Sequence, residues 1–146
     1  GFPITPLAGQ NRSDNGDSRN SDTPNLNPAF TGDPILGVDA FKKTGFYLDT
    51  NAFVLPPLGM YGNVARGSFR GPGLVNLDLS LFKRIPLTER WNLQFRAEAF
   101  NILNHANFKT PDTTIFTGAN ISGNAGRILE TSNHERQIQF ALRLEF

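Results

Sequence analysis

The chain has 146 residues, enough for one ordinary domain, and its formal net charge is +1. This near balance, together with the lack of any basic run, excludes a long-range electrostatic pull towards nucleic acid, so no nucleic-acid partner is expected. The sequence has no cysteine, which excludes disulfides and cysteine metal sites, and no apolar run approaches the ~18 residues of a membrane helix.

Residues 1–70 are predicted to be mostly a long irregular loop, which follows a strand further upstream. Their periodicity is weak, and residues 11–22 are dense in Asn, Asp and Ser. The chain opens at Gly1-Phe2-Pro3, without a methionine or a signal segment. We interpret this opening as that of a piece of a longer polypeptide.

Residues 71–146 contain three segments in which apolar and polar residues alternate, a pattern that predicts β-strands with one apolar and one polar face. The apolar rows are Val75, Leu77, Leu79 and Leu81; Trp91, Leu93 and Phe95, continued by Ala97 and Ala99; and Ile138, Phe140, Leu142, Leu144 and Phe146. The polar rows are Asn76, Asp78 and Ser80; Asn92, Gln94, Arg96 and Glu98; and Gln137, Gln139, Arg143 and Glu145. Every charge inside the three runs lies in a polar row.

Each run has roughly the ~9–11 residues that a tilted strand needs to cross a bilayer. An arginine that faces lipid near the bilayer midplane costs roughly 2–4 kcal/mol, so a one-residue slip of register would be strongly disfavoured. We therefore predict that the apolar rows face outer-membrane lipid and that the polar rows face the lumen of a β-barrel. Trp91 and Phe146 then belong to an interfacial aromatic girdle, although a β-sandwich core would also accept either ring.

The connections predict which ends of the strands lie outside the cell. Residues 83–90 form a short connection with Pro86 and Thr88, whereas residues 104–133 form a long one rich in Asn, Thr and Gly. Outer-membrane barrels alternate short periplasmic turns with long extracellular loops. The predicted periplasmic turn is therefore 83–90, and the predicted extracellular segments are 1–70 and 104–133.

The predicted fold class is all-β: the C-terminal antiparallel strands of a large transmembrane β-barrel, with long extracellular loops. Three strands cannot close a barrel, because the smallest single-chain membrane barrels have about eight. Either these strands complete a sheet that begins upstream, or several chains contribute strands to one barrel.

Other candidate sites are weak. Asp14, Asp17 and Asp22 do not have the spacing of an EF-hand loop, so residues 11–22 are predicted to be a solvated, mobile loop. His105 and His134 supply at most half of a zinc shell. Glu98 and Glu145 have no accompanying nucleophile, and we expect them to pair with Arg96 and Arg143 instead. No catalytic residue, metal site, cofactor or enzymatic activity is predicted.

Several blocks resemble the C-terminal part of Oar-like TonB-dependent outer-membrane receptors. These blocks are Arg70-Gly-Pro-Gly73 before a strand that ends in Ser80-Leu-Phe-Lys83, then Gln94-Phe-Arg-Ala-Glu-Ala-Phe-Asn101, Asn104-His-Ala-Asn-Phe108 and Arg136-Gln-Ile-Gln-Phe140. The opening Gly1-Phe-Pro-Ile-Thr-Pro6 resembles the point where the preceding strand enters an extracellular loop. The blocks occur in the family's order, and the similarity covers nearly the whole chain, with the best matches from about residue 57 onward.

The resemblance implies a barrel of about 22 strands with a plugged lumen, the size class of outer-membrane transporters. It implies uptake of an unidentified small substrate, driven by the TonB complex, which would contact N-terminal parts that this sequence does not include. The contribution expected of this chain is barrel closure and part of the extracellular face. Ile138, Phe140, Leu142, Leu144 and Phe146 also resemble the signal read by the barrel-assembly machinery, which can bind such a strand by edge pairing.

Two other functions remain open at this point. One is an oligomeric barrel anchor, in which each chain gives a few strands to a shared pore. The other is a soluble all-β module that binds carbohydrate or peptide through its long loops.

Overall fold

The computed structural model describes residues 1–17 and 19–146 and divides them into two compact units. The first unit consists of Gly1–Gly73 and Phe108–Glu130, and the second of Leu74–Asn107 and Thr131–Phe146. Most of the long connection predicted at 104–133 therefore folds with the first 73 residues. The sequence had grouped this connection with the strands.

The described residues are mostly extended, with one α-helix. In chain order the elements are β1 (Pro3–Ile4), β2 (Asn25–Leu26), α1 (Gly37–Thr44), a 3-10 turn (Thr50–Ala52), β3 (Phe53–Val54), β4 (Phe69–Arg70), β5 (Leu79–Pro86), β6 (Asn92–Phe100), β7 (Phe116–Thr117), β8 (Asn120–Ile121) and β9 (Gln137–Glu145). The predicted all-β class is confirmed. No helix in this part of the chain has the length and apolar character needed to cross a membrane.

The first unit is held together by small antiparallel pairs and an apolar core. The pairs are β1 with β4, β2 with β3, and β7 with β8. Leu48 and Ile115 are completely buried at the centre of the core, and Phe53 packs edge-on against Phe69 with ring centroids 5.9 Å apart. Burial of each such large apolar side chain stabilises the fold by roughly 1.5–3 kcal/mol.

Helix α1 was not predicted from the sequence. Its last turn ends at Gly45, whose φ of 80° lies in the left-handed region, and the Gly45 N–H donates to the Phe41 carbonyl. Lys42 and Lys43 lie in the last turn, where their charges complement the helix dipole. Phe41 also packs edge-on against Phe108, which joins the helix to the second segment of the unit.

The second unit contains one antiparallel sheet in the order β5-β6-β9. Strands β6 and β9 lie within the second and third predicted runs, and their register pairs Phe95 with Leu142. The sheet is open in the part of the chain that the structure describes, since β5 and β9 each have one edge without a strand partner there. These edges could each pair with another strand.

Strand β5 corrects the predicted bounds of the first strand and of the turn. The sequence placed the strand at 75–81 and the turn at 83–90, whereas the strand runs from Leu79 to Pro86. Pairing with Asn92–Ala99 of β6 extends β5 beyond its clear alternation, which ends at Leu81. Among the predicted row residues, Val75, Asn76, Leu77 and Asp78 consequently lie ahead of the strand.

The hairpin between β5 and β6 is closed by bonds around Thr88. The N–H groups of Leu87 and Thr88 donate to the Trp91 carbonyl, at 2.9 and 3.2 Å. The Thr88 hydroxyl oxygen accepts from the N–H of Trp91 at 3.2 Å. The connection is thus a tight turn and is shorter than predicted.

Candidate functional site

The sheet of the second unit presents two chemically different faces. On one face of the sheet, β5 and β6 pair apolar residues: Leu79 with Ala99, Leu81 with Ala97, and Ile85 with Leu93. On the same face, β6 and β9 pair Leu93 with Leu144, Phe95 with Leu142, Ala97 with Phe140, and Ala99 with Ile138. We call this set the apolar face. It brings together most of the predicted apolar residues. Val75 and Leu77 lie ahead of β5, whereas Trp91 and Phe146 adjoin the ends of β6 and β9 with the same parity and are counted with this face.

The apolar face is exposed within the chain. Phe140 is 71% exposed and Phe146 is 92% exposed, with Leu79, Leu81 and Leu142 more than half exposed. Soluble monomers rarely expose a contiguous apolar patch of more than a few hundred Å². This face therefore requires an apolar environment from outside the chain.

Aromatic rings join the strands on the apolar face. The Trp91 and Phe146 rings lie 5.2 Å apart between centroids, beside the β5–β6 hairpin. Further along the sheet, the Phe95 and Phe140 rings stack at 6.3 Å. Such pairs contribute about 0.5–1.5 kcal/mol beyond the area that they bury.

Lys83 is a charged residue on the apolar face that the sequence analysis missed. The predicted turn began at residue 83, but the register places Lys83 inside β5, opposite Phe95. It has no salt bridge among the described residues. A lysine can bury its aliphatic stem along an apolar surface and extend its ammonium towards water, which fits a position near the hairpin end of the strand.

The opposite face, here the polar face, carries a network of ion pairs and hydrogen bonds. Glu98 accepts from Arg96, Ser80 and Gln139, so it links all three strands. At the hairpin end, Glu145 pairs with Arg84 at 3.2 Å and with Arg143 at 3.7 Å. The expected pairing of Glu98 with Arg96 and of Glu145 with Arg143 is confirmed. Asn92 and Gln94 also lie on this face, together with the apolar residues Phe82, Phe100 and Ala141.

Two buried asparagines hold the opposite end of the sheet. The Asn107 side chain accepts from the Val75 N–H at 2.7 Å and donates to the Val75 carbonyl at 2.8 Å. Asn101 has a positive φ of 48°, and its side-chain amide donates to the carbonyls of His105 and His134. Their side chains hydrogen-bond to backbone groups just beyond the strands, in place of the backbone–backbone bonds found inside the sheet. Sequence reasoning noted the block 104–108 but assigned neither asparagine a role.

The comparison with protein families decides the class of the chain. The family model described as "Outer membrane beta barrel domain" matches residues 1–139. The chain belongs to the outer membrane beta barrel domain family. It has no significant match among curated proteins or among solved structures.

Membership of the outer membrane beta barrel domain family shows in which cellular compartment the sheet lies. The protein is a barrel-type protein of the bacterial outer membrane. A barrel of this kind carries an outward apolar band and a polar interior on alternate residues of each strand. The open sheet β5-β6-β9 has both kinds of face, and the soluble-module alternative does not fit this location.

The predicted loop at 11–22, of which residue 18 lies outside the described residues, contains one buried acidic residue and several hydrogen bonds. Asp22 is buried, and its carboxylate accepts from the N–H groups of Arg12 and Ser13, at 2.6 and 2.7 Å. Asp17 accepts from the side chain and backbone of Asn20 and from the Arg19 N–H, which lowers the pKa of the Asp17 carboxyl below its ordinary value. Among residues 1–17 and 19–146, no group of three or more His, Asp or Glu residues could hold a metal ion.

Proposed function

We propose that this chain forms part of the wall and outer face of a TonB-dependent receptor of the Oar-like kind. In this proposal the apolar face contacts outer-membrane lipid, and the polar face lines the lumen. The strands help to close a larger barrel. The first unit belongs to the extracellular side and takes part in uptake of a small substrate.

The observation that carries the proposal is the register of the three strands. Leu81, Ala97 and Phe140 share one face, whereas Ser80, Glu98 and Gln139 share the other. A slip of β6 by one residue would bring Arg96 and Glu98 onto the face of Leu81 and Phe140. Strands that divide hydrocarbon from a hydrated lumen need such alternation, which the charged residues of β6 and β9 follow throughout.

The receptor role in particular is supported by the ordered sequence blocks and by the folded first unit. A receptor needs an outer surface that recognises a substrate, whereas a general diffusion pore does not. The first unit supplies such a surface with its own core, built around Leu48 and Ile115.

Single cysteines test the assignment of the two faces, because the chain has none of its own. Ala141→Cys lies on the polar face and Leu142→Cys on the apolar face, at adjacent positions of β9. In outer-membrane vesicles, a charged maleimide should label the Ala141→Cys variant and spare the Leu142→Cys variant. An apolar maleimide should label the Leu142→Cys variant, and detergent with urea should make both reactive to the charged reagent. Equal labelling of the two variants by the charged reagent in the membrane would contradict the assignment.

Energy coupling tests the receptor role itself. Cells with and without the receptor are grown with active or inactivated TonB, and mass spectrometry follows the loss of small molecules from the medium. We expect at least one compound to be depleted only when both the receptor and TonB are present. Depletion that does not depend on TonB would indicate a diffusion pore.

We also propose that the barrel-assembly machinery binds β9 by pairing with its free edge. An exposed apolar row, formed by Ile138, Phe140, Leu142, Leu144 and Phe146, accompanies that edge. Main-chain bonds along the edge would provide affinity, and pockets for alternate side chains would provide specificity.

The oligomeric-anchor alternative differs in one measurable property. A shared pore made of several chains would run as an oligomer in mild detergent and fall to monomers on boiling. The receptor proposal expects a single polypeptide per barrel, and cross-linking followed by mass measurement distinguishes the two.

A further inference from the structure

The first unit contains a pocket of about 310 Å³ between two segments that are far apart in sequence. Asn15, Asp17 and Asn20 line it from one side, and Tyr61 and Arg66 line it from the other. Its volume lies at the lower end of the ~300–1,000 Å³ range of small-molecule sites, which suits a ligand of one or two rings.

Hydrogen bonds fix the first wall of this pocket. The buried Asp22 carboxylate holds the backbone of Arg12 and Ser13, and the Asn11 side chain donates to Asn15 at 3.0 Å. The Asn15 side-chain oxygen Oδ1 also accepts from the Asp17 N–H at 2.8 Å. This wall is therefore arranged before any ligand arrives, which lowers the entropy cost of binding.

The second wall includes Tyr61 and Arg66, and hydrogen bonds attach this part of the chain to residues 23–26, which follow Asp22. The Asn63 N–H donates to the Asn25 side chain, and the Leu26 N–H donates to the Asn63 side chain, both at 2.8 Å. The Thr23 hydroxyl donates to the Gly62 carbonyl at 3.4 Å. A Cβ at Gly62 would lie 1.9 Å from the Thr23 carbonyl oxygen, so this close approach requires glycine.

Several polar groups of the pocket have no partner within the described part of the chain. They are the Asn15 amide nitrogen, the Asn20 amide oxygen, the Arg66 guanidinium and the Tyr61 hydroxyl. Tyr61 is also about two-thirds exposed, so its ring is available for contact. The pocket thus offers donors from Asn15, Arg66 and Tyr61, an acceptor from Asn20 and an aromatic surface.

The charges of the pocket favour a neutral ligand. The Asp22 carboxylate is already occupied by Arg12 and Ser13 backbone donors, and the nearby charge of Arg66 acts on the Asp17 carboxyl. An anionic ligand would meet Asp17, and a cationic one would meet Arg66. A neutral ligand with many hydroxyl groups avoids both repulsions.

We propose that this pocket binds a neutral saccharide of one or two rings, and this inference rests on the receptor function proposed above. Vicinal hydroxyls both donate and accept, which matches the Asn15, Asn20 and Arg66 groups. The C–H face of a pyranose ring is apolar and packs against the Tyr61 ring. Saccharide recognition would therefore occur in the first unit, outside the sheet.

Calorimetry on the complete purified receptor tests the site directly. The probes are maltose, cellobiose, xylobiose and chitobiose, with galacturonic acid as the anionic comparison. We expect at least one neutral sugar to bind, with affinity reduced about tenfold by Tyr61→Ala, the order expected for loss of an aromatic contact. Arg66→Gln should also weaken binding, whereas Tyr61→Phe keeps the ring and should change affinity by less than about threefold.

Leu58→Ala is the matched control, because Leu58 is exposed in the same stretch of chain and does not line the pocket. Its affinity should equal that of the unchanged receptor, and melting curves show whether each variant is folded. The proposal is overturned if no neutral sugar binds, if only galacturonic acid binds, or if Tyr61→Ala and Arg66→Gln bind as tightly as the control.

Binding in detergent does not need TonB, so the two proposals can fail separately. Sugar binding that depends on Tyr61, without TonB-dependent uptake, supports the pocket and contradicts the receptor function. TonB-dependent uptake of a compound, without sugar binding at the pocket, supports the receptor function and contradicts the pocket proposal.

Discussion

At the scale of single residues, asparagine side chains take over hydrogen bonds that backbone groups make elsewhere in the second unit. Asn107 is only 1% exposed and forms two bonds with the backbone of Val75. A buried polar group without a partner costs about 1–3 kcal/mol, so these bonds satisfy the buried Asn107 amide and hold the chain at Val75, where no strand partner is present. Such a role depends on a distant segment and leaves no periodic trace in the sequence.

Asn107→Asp is expected to destabilise the barrel by about 1–3 kcal/mol. The substitution keeps an acceptor for the Val75 N–H, but it removes the donor to the Val75 carbonyl and places a carboxylate against that oxygen. The measurement is the temperature at which the folded band is lost on a semi-native gel. Asn120→Asp, on an exposed residue, is the control, and an equal melting temperature for the two variants would contradict the assigned role.

Asp17 gives a stability contribution that depends on pH. Its pKa is lowered in the folded chain, chiefly by the Asn20 side chain, so the ionised form is favoured by folding. The stabilisation is present above the ordinary pKa of 3.8 and is lost as the pH falls through the lowered value. The difference in melting temperature between the native chain and Asp17→Asn should therefore be larger at pH 6 than at pH 3. A difference that is constant with pH would exclude this contribution.

At the scale of elements, alternation predicted β6 and β9 well and β5 only in part. In β6 and β9 the charged residues lie on one face throughout, so the two-residue alternation predicts both the strand and its two faces. In β5 the sequence Leu81-Phe82-Lys83 breaks the alternation on both faces. The strand continues because β6 offers backbone partners as far as Asn92, which is a tertiary effect that no local pattern contains.

Phe146 allows a prediction about how β9 assembles into the barrel. Its ring contacts Trp91, and it is the most exposed of the large apolar side chains. Deleting Phe146 should lower the amount of assembled barrel in the outer membrane more than Leu79→Ala does. The amount is measured as the folded band in isolated outer membranes, and equal, unimpaired assembly of the two variants would refute the idea.

At the scale of the whole molecule, the first unit is built from two pieces of chain. Ile115, Phe116 and Ile128 of the second piece belong to the same core as Tyr47, Leu48 and Phe53 of the first. The sequence predicted irregular segments at 1–70 and 104–133, and the described strands there are only two residues long. It did not predict that the segments share a core, because contacts between distant loops follow no period.

Ile115→Ala is expected to destabilise the first unit by about 2–5 kcal/mol, since the residue is fully buried. The loss should expose the first piece of chain as well as the second. Thermolysin added to the purified protein should therefore cut new sites within residues 1–73. Leu129→Ala is the control in the same segment, because Leu129 is 66% exposed. New cuts confined to 108–130 would show that the two pieces fold separately.

The shared core also sets an order of events during biogenesis. Translation and export proceed from the N-terminal side, so Tyr47 and Leu48 emerge long before Ile115 and Ile128. The first piece cannot complete its apolar core until the segment that carries Ile115 and Ile128 has also crossed the inner membrane. We therefore expect the first piece to stay open to periplasmic chaperones during that interval and to become compact only after β6 has followed it.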